Sequence, residues 1–402
     1  MTDEVSHGPL AGLTIIEMAG IGPVPFAGTV LVDMGARVIR VDRVADRPAS
    51  RTFIDRQDHD PMLRGRESIA VDLKRPEGVA VVRELAKRAD ALLEGFRPGV
   101  MERMGLGPEV LLEANPQLVI GRMTGWGQSG PLAPRAGHDI NYISIAGILG
   151  AIGPSDGPPQ IPLNLVGDFG GGTMMLVAGV LAQLLAVRLG ARGGVVDASM
   201  VEGASYLATM MHGFMAQGLW TARRGVNQLD GGSPFYGVYA CKDDEYVSVG
   251  ALEPKFFAEL VERLGCADRV PPERQYVTKE WPAMRAIFTE IFRSKTRDDW
   301  AEIFAESDAC VTPVLSLAEA PRHPHNVERS SFLGDGHSLP RPAPRFTHHP
   351  VTHLAPAGRV GRESRLILEW LGYSRTTIDD LQNERVVAGA EGADAIPRSV
   401  ES

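Results

Sequence analysis

Short apolar runs alternate with amphipathic stretches along the first third of the chain. LTIIEMA at 13–19 lies between Gly12 and Gly20, a helical stretch runs on to Met34 and stops at Gly35, and VIRVD follows at 38–42. The pattern recurs as SIAVD at 68–72, a helix opened by Pro76 and Glu77, ALLE at 91–94, a helix near 108–114 and LVIGRM at 118–123. Runs this short and this apolar predict strands buried on both faces, in a parallel sheet with helices on either side. The longest apolar run, 174–189, is interrupted by Gln183 and carries Arg188 at its end, which predicts a buried core helix rather than a membrane span. VVDAS at 195–199 reads as a further strand. The methionine-rich helix over 200–217 is expected to use its methionines as core filler.

From Asp230 the pattern changes. DGGSPFYGVYACKDDEYVSVGA reads as a hairpin about Lys242-Asp243-Asp244, followed by helices near 254–264, 281–293 and 296–306. The expected organisation is α/β: a large Rossmann-like domain of residues 1–225 and 326–402, with a smaller α+β domain, 226–325, inserted between. Residues 329–361, dense in Pro, Gly and His, should wrap back across the large domain. A helical pair follows, and a tail from about Val387 reads as disordered. The stretch 43–66 has no periodicity, is rich in Arg and Asp, and is long enough to predict a binding loop.

Composition narrows the function classes. The net charge of −9, with no block of five like charges, argues against a nucleic-acid partner. Hydrophobic content of 44% and charged content of 23% sit at the globular average and exclude wholesale disorder. Cys241, Cys266 and Cys310 are too far apart for a CxxC pair or a zinc spacing, and read as buried or idle thiols in a reducing compartment. The opening MTDEVSHGPL has acids where a secretory signal has bases, so a cytoplasmic protein is expected. His323, His325, His348 and His349 lack nearby acidic or Cys companions and read as loop residues, not a metal site.

Three positions carry candidate chemistry. His138 stands in AGHDINY, Asp168 in LNLVGDFGGG and Glu253 in VGALEP. Each has a plain structural reading: His138 and Asp139 can cap a helix, Asp168 can cap the apolar helix behind it, and Glu253 can open the helix at Pro254. Asp168 stands out as a carboxylate ahead of three glycines, whose freed N–H groups suit a developing oxyanion. Gly20-Ile21-Gly22, with Asp42 downstream, approaches a dinucleotide fingerprint. Pro25 stands where the last glycine belongs and Pro23 removes an N–H from the turn, which argues against a nicotinamide cofactor.

The ordered motifs GPLAGLTIIEMAGIGPVPFAGTVLVDMGARVIRVDR, VDLKRPEG, LLEGFRPGVMERMGLGP, RMTGWGQSGP, AGHDINYISI, LNLVGDFGGG, LDGGSPFYGVY, VGALEPKFF and DACVTPVLS span about residues 8 to 350. They resemble the α-methylacyl-CoA racemases, a branch of the class III CoA-transferase superfamily. The resemblance implies that superfamily's fold, built as an interlocked homodimer with the pocket between the large domain of one chain and the small domain of the other. It implies epimerisation of 2-methylacyl-CoA thioesters through an enolate, with no cofactor, coenzyme A being part of the substrate. Inverting such a carbon needs an acid/base group on each face. The resemblance gives those roles to His138 and Asp168, with Glu253 holding the imidazole. The enolate oxygen also needs a preorganised donor, and the Asp168 amide N–H, with the glycines after it, is the expected one. The resemblance assigns acyl-CoA contacts to Ile21, Arg43, Val71, Lys74, Glu94, Gly95, Arg97, Arg103 and Tyr142, with Trp126 shaping the same wall as Tyr142; guanidinium groups suit phosphate oxygens. The tail LILEWLGYSRTTIDDLQNERVV looks more like the transferase branch, and 44–61 departs from the family. The rival readings are a CoA-transferase with Asp168 as nucleophile and a catalytically silent acyl-CoA binder.

Overall fold

The computed structural model of the chain describes residues 8–44, 60–334, 339–349 and 355–389. In chain order the elements are β1 (Thr14–Met18), α1 (Pro23–Asp33), β2 (Arg37–Arg43), β3 (Glu67–Val71), α2 (Pro76–Arg88), β4 (Ala91–Glu94), α3 (Val100–Arg103), α4 (Pro108–Ala114), β5 (Val119–Thr124), α5 (Asp139–Ile145) and α6 (Ile148–Ala151). A π-helical segment (Leu165–Met174) leads into α7 (Met175–Arg188), β6 (Gly194–Ser199), α8 (Met200–Leu207), α9 (Thr209–Ala216), β7 (Tyr236–Ala240), β8 (Tyr246–Gly250) and α10 (Pro254–Arg263). Then come α11 (Trp281–Phe292), α12 (Arg297–Phe304), β9 (Val311–Pro313), α13 (Pro324–Glu328), β10 (Phe332–Leu333), β11 (Leu339–Pro340), α14 (Ser364–Trp370), α15 (Arg375–Asn383) and β12 (Val387–Ala388). Prolines at the first helical turn of α1, α2, α4 and α10 mark starts where a missing N–H costs nothing.

The chain divides into two compact units. One holds the described residues up to Ala146, Leu163–Leu207 and those from Pro342 onward; the other holds the described residues of Gly147–Pro162 and Ala208–Arg341. The described residues of 147–162, 208–225 and 326–341 thus group with the second unit, beyond the 226–325 read from the sequence. The first unit is built on a seven-stranded sheet in the order β12-β3-β2-β1-β4-β5-β6, parallel except for β12. Side chains of both faces are buried: Ile16, Ile39, Ile69 and Leu92 pack with α2, α14 and α15, while Ile15, Val38, Leu93 and Val119 pack with α1 and α7. That is why the strands read as unbroken apolar runs.

Three expectations change. The chain is ordered at Val387, which pairs with Val71 across an antiparallel edge and is fully buried; without it β3 would be an open edge. The apolar helix begins earlier than Met174. Leu165–Arg188 forms one continuous helix of 24 residues, long and apolar enough by length and composition to cross a membrane. Leu176, Val177, Val180 and Leu184 are nevertheless buried in the core of the first unit. The methionines after β6 divide: Met200 is core, but the helix breaks between α8 and α9, and Met210 and Met215 on α9 are exposed. The expected binding loop after Arg43 lies, for residues 45–59, outside the described residues.

The second unit carries the antiparallel order β7-β8-β9 and an aromatic core of Phe235, Tyr239, Phe257, Phe288, Phe292 and Trp300. Cys241 and Cys266 are buried in it and Cys310 is exposed.

Charge is also buried in the sheet of the first unit. Glu17 on β1 accepts from Arg40 at 2.5 Å and from Arg66 at 2.7 Å, Arg40 also donates to Asp42 at 2.9 Å, and Ser68 donates to Asp42 at 2.7 Å. Removing one member of such a set leaves its partners charged and dry. Glu17→Ala is therefore expected to lower the unfolding free energy by about 3–5 kcal/mol, measured by urea denaturation.

Candidate active site

The strand order places a switch point between β1 and β4, where the crossovers leave in opposite directions and a crevice opens at the carboxyl ends. The turn Gly20-Ile21-Gly22 follows β1 and Gly95-Phe96-Arg97 follows β4. The π-helical segment reaches this point because it is pinned to the start of α1. Thr173 Oγ1 donates to the Pro23 carbonyl at 2.8 Å, and the Phe169 ring lies 4.8 Å from that of Phe26. A side chain at Gly22 would stand 3.5 Å from Asp168 Oδ2, so the Asp168 carboxylate faces the turn that in a dinucleotide fold would face a pyrophosphate. π-Helical turns are rare and frequent at functional sites.

Asp168 is half-buried. Its Oδ2 accepts from Asn164 Nδ2 at 3.1 Å, and its amide donates to Asp139 Oδ1 at 2.7 Å. Burial pushes the carboxyl above its ordinary value; the Asn164 bond pulls it back, the Asp139 charge adds to the rise and His138 opposes it. His138 is exposed and stands at the N-cap of α5, its backbone N–H bound by Asn141 Oδ1 at 3.1 Å. Thus His138 does open a helix, as the plain reading had it, while Asp168 lies inside a helix and caps nothing.

Tyr142, one turn along α5, is 7% exposed. Its ring meets Trp126 edge-on at 4.8 Å and its hydroxyl donates to the Gly137 carbonyl. Burial, with the Asp168 charge second, pushes the phenol up to about 12. Tyr142 is thus a core residue of the first unit, with the half-buried Trp126 packed against it.

The expected oxyanion donor is not free. The Asp168 amide is taken by Asp139, and the glycines behind it lie within the helix, where their amides serve its own hydrogen-bond ladder. Two of the expected acyl-CoA contacts are inward-facing. Glu94 is fully buried, with Oε1 accepting from Arg122 at 2.7 Å and Oε2 from the Phe96 amide at 2.7 Å, and Val71 packs in the core. Burial raises the Glu94 carboxyl against the pull of Arg122. Their side chains hold the loop and the sheet.

Ile21, Arg43, Lys74, Gly95, Arg97 and Arg103 are exposed. Arg43, Lys74 and Arg97 end or follow β2, β3 and β4 on the carboxyl side, and Arg103 closes α3. None of these four cations makes an ion pair among the described residues, whereas Arg37, Arg40, Arg64, Arg66 and Arg122 are all paired. A rim of unpaired cations at a sheet's carboxyl edge suits phosphate groups.

Glu253 belongs to the second unit. It is exposed at the N-cap of α10, makes no side-chain cap bond, and has Tyr276 and Cys310 among its electrostatic neighbours. Sequence reasoning missed two residues. Asn164 stands one turn before Asp168, and Asp139 beside His138 was read only as a cap; the available signal was the adjacency of each to a candidate catalytic residue.

The sequence profile of CoA-transferase family III matches residues 10–363. The chain is 44% identical over 381 residues to the mouse alpha-methylacyl-CoA racemase, covering 94% of this chain and 97% of that protein. It is 43% identical over 382 residues to the human one, with the same two shares. Among solved structures, a CAIB/BAIF family protein from Brucella suis superposes with a TM-score of 0.76 at 25% identity, covering 90% of this chain and 99% of that one. A profile match over 354 residues, with relatives aligned along nearly their whole length, establishes that this chain belongs to CoA-transferase family III.

Proposed function

We propose that this protein epimerises the α-carbon of 2-methylacyl-CoA thioesters by two-base proton transfer. The observation that carries the reading is the pairing of unlike groups at the switch point: a half-buried carboxyl raised by burial at Asp168 and an exposed imidazole at His138, near enough to act on that carboxyl. One group takes the α-proton as the other delivers a proton to the opposite face, and the roles reverse with the direction of turnover. The step is redox-neutral, so it asks for no nicotinamide, and the chain's own acid/base groups ask for no metal. Coenzyme A enters as part of the substrate, its phosphates on the rim of Arg43, Lys74, Arg97 and Arg103. Family resemblance gives Glu253 the role of orienting the imidazole; its side chain is exposed and makes no cap bond. Identity of 43–44% to proteins named as racemases supports this reading over CoA transfer.

The same reading includes a homodimer. Leu165, Tyr206 and Leu207 in the first unit and Met210, Met215 and Leu219 in the second are large and exposed, and a second copy of the chain is the occupant that family resemblance supplies. A reducing, cytoplasmic setting accords with three unpaired cysteines.

Incubation with one epimer of a 2-methylacyl-CoA in D₂O, without an acid acceptor, is expected to bring deuterium to the α-carbon and drift toward both epimers, read by NMR and chiral analysis. An undisturbed α-proton, with CoA passing to an added carboxylic acid, would establish transfer instead. Asp168→Asn is expected to slow epimerisation by about 10²–10⁴-fold with little change in acyl-CoA affinity. Sedimentation equilibrium should return twice the monomer mass. Folding also holds the Asp168 carboxyl above its ordinary 3.8, so ionising it costs stability; the cost is absent well below that value and complete above the raised one. Asp168→Asn should therefore melt higher than wild type at pH 7 and lose that advantage as the pH falls through the carboxylate range, as read by calorimetry.

A further inference from the structure

We propose that Asp139 is a positioning residue that sets the two acid/base groups in register: the peptide bond joins it to His138, and its side chain holds the backbone of Asp168. The inference rests on the reading of His138 and Asp168 as the two bases. Asp139 is the first residue of α5 and only 5% exposed. Its Oδ1 accepts the Asp168 amide at 2.7 Å across 29 residues of sequence, and its Oδ2 is buried with no hydrogen-bond partner among the described residues. A Cβ at Gly167 would stand 2.5 Å from Oδ1, so the approach tolerates no side chain there. The amide held is that of the residue whose carboxyl does the chemistry. A shift of the first turn of α5 therefore moves His138 and the backbone of Asp168 together.

Charge gives Asp139 a second effect. The groups facing the Asp168 carboxyl are Asp139 and His138 at the start of α5, Tyr142 one turn on, and Asn164 in its own segment, while Arg97 faces Tyr142 from the loop after β4. Burial is the larger cause of the rise at Asp168, and among these groups Asp139 is the negative charge that adds to it.

Two substitutions separate these effects in the full-length enzyme, assayed with one 2-methylacyl-CoA epimer in D₂O. Asp139→Ala removes acceptor and charge. It is expected to lower kcat about 10–100-fold with KM within about threefold, and to raise the ratio of deuterium incorporated with retention to that incorporated with inversion, because the two bases lose register. Asp139→Asn keeps an oxygen for the amide and removes the charge; it should hold the wild-type ratio and move the Asp168 limb of the kcat/KM profile to lower pH. A purely structural role would lower the melting temperature and the active fraction, leaving both ratio and limb in place, and that result overturns the proposal. Should the Ala variant not fold, Asp139→Leu, which fills the same space without an acceptor, is read by the same ratio: a rise supports the proposal and a wild-type ratio overturns it. Full α-proton exchange in Asp168→Asn would remove the acid/base reading itself, and the proposal with it. An inactive Asp168→Asn beside unaltered Asp139 variants would remove only the positioning role.

Discussion

Backbone touches backbone where the π-helical segment crosses α8. A Cβ on Gly203 would stand 1.8 Å from the Gly171 carbonyl oxygen, and one on Gly171 2.4 Å from the Ala204 nitrogen. Distances that short leave no room for any side chain but hydrogen, and they set how far the segment can advance toward the carboxyl edge of the sheet. The threonine, phenylalanine and aspartate contacts at Thr173, Phe169 and Asp168 follow from that advance, since each needs the segment against the start of α1 or α5. The glycines behind Asp168 are thus a packing device, and the amides they carry serve the helix.

The carboxyl placed in this way is uncomfortable by design of its surroundings. Burial raises it, and Asn164 and His138 offset only part of the cost. Raising a carboxyl narrows the free-energy gap between its charged and neutral forms, which suits the two-way proton traffic proposed for it. Stability given up at Asp168 must be recovered elsewhere, and the dense apolar packing on both faces of the sheet is the obvious reserve.

The buried charges of the sheet serve a different end. Glu17, Arg40, Asp42 and Arg66 balance in sign, and Ser68 extends the set to the far segment: its Oγ accepts the Gly361 amide at 2.8 Å, and its own amide donates to Glu363 at 2.8 Å. Apolar side chains in these places would hold as well but would accept many registers; charges that must each find a partner accept few. Arg43, Lys74, Arg97 and Arg103 stand apart from this set, making no ion pair among the described residues. Pairing thus separates the arginines that hold the sheet from those on its carboxyl rim, a distinction the residue type alone does not carry.

How much of this was legible beforehand depends on the range of the interaction involved. Strands, helix starts at Pro23, Pro76, Pro108 and Pro254, and the hairpin about Asp243 follow from local periodicity and from backbone limits that act within a few residues. Arg40 and Asp42, two apart in a strand, had to share a face; that Glu17 stands opposite Arg40 came only from the pairing of β1 with β2. Glu94 and Val71 matched a ligand-binding pattern by identity, yet the tertiary structure turned one to Arg122 and buried the other. The order at Val387 likewise depended on an edge strand more than three hundred residues away in sequence. By itself the sequence determined the elements, the α/β class and the chemical candidates His138, Asp168 and Glu253, because spacing and residue chemistry are local. Only the tertiary structure decided which donors are spent, which cations are free and what holds Asp168, because those are set by groups that meet through packing rather than along the chain.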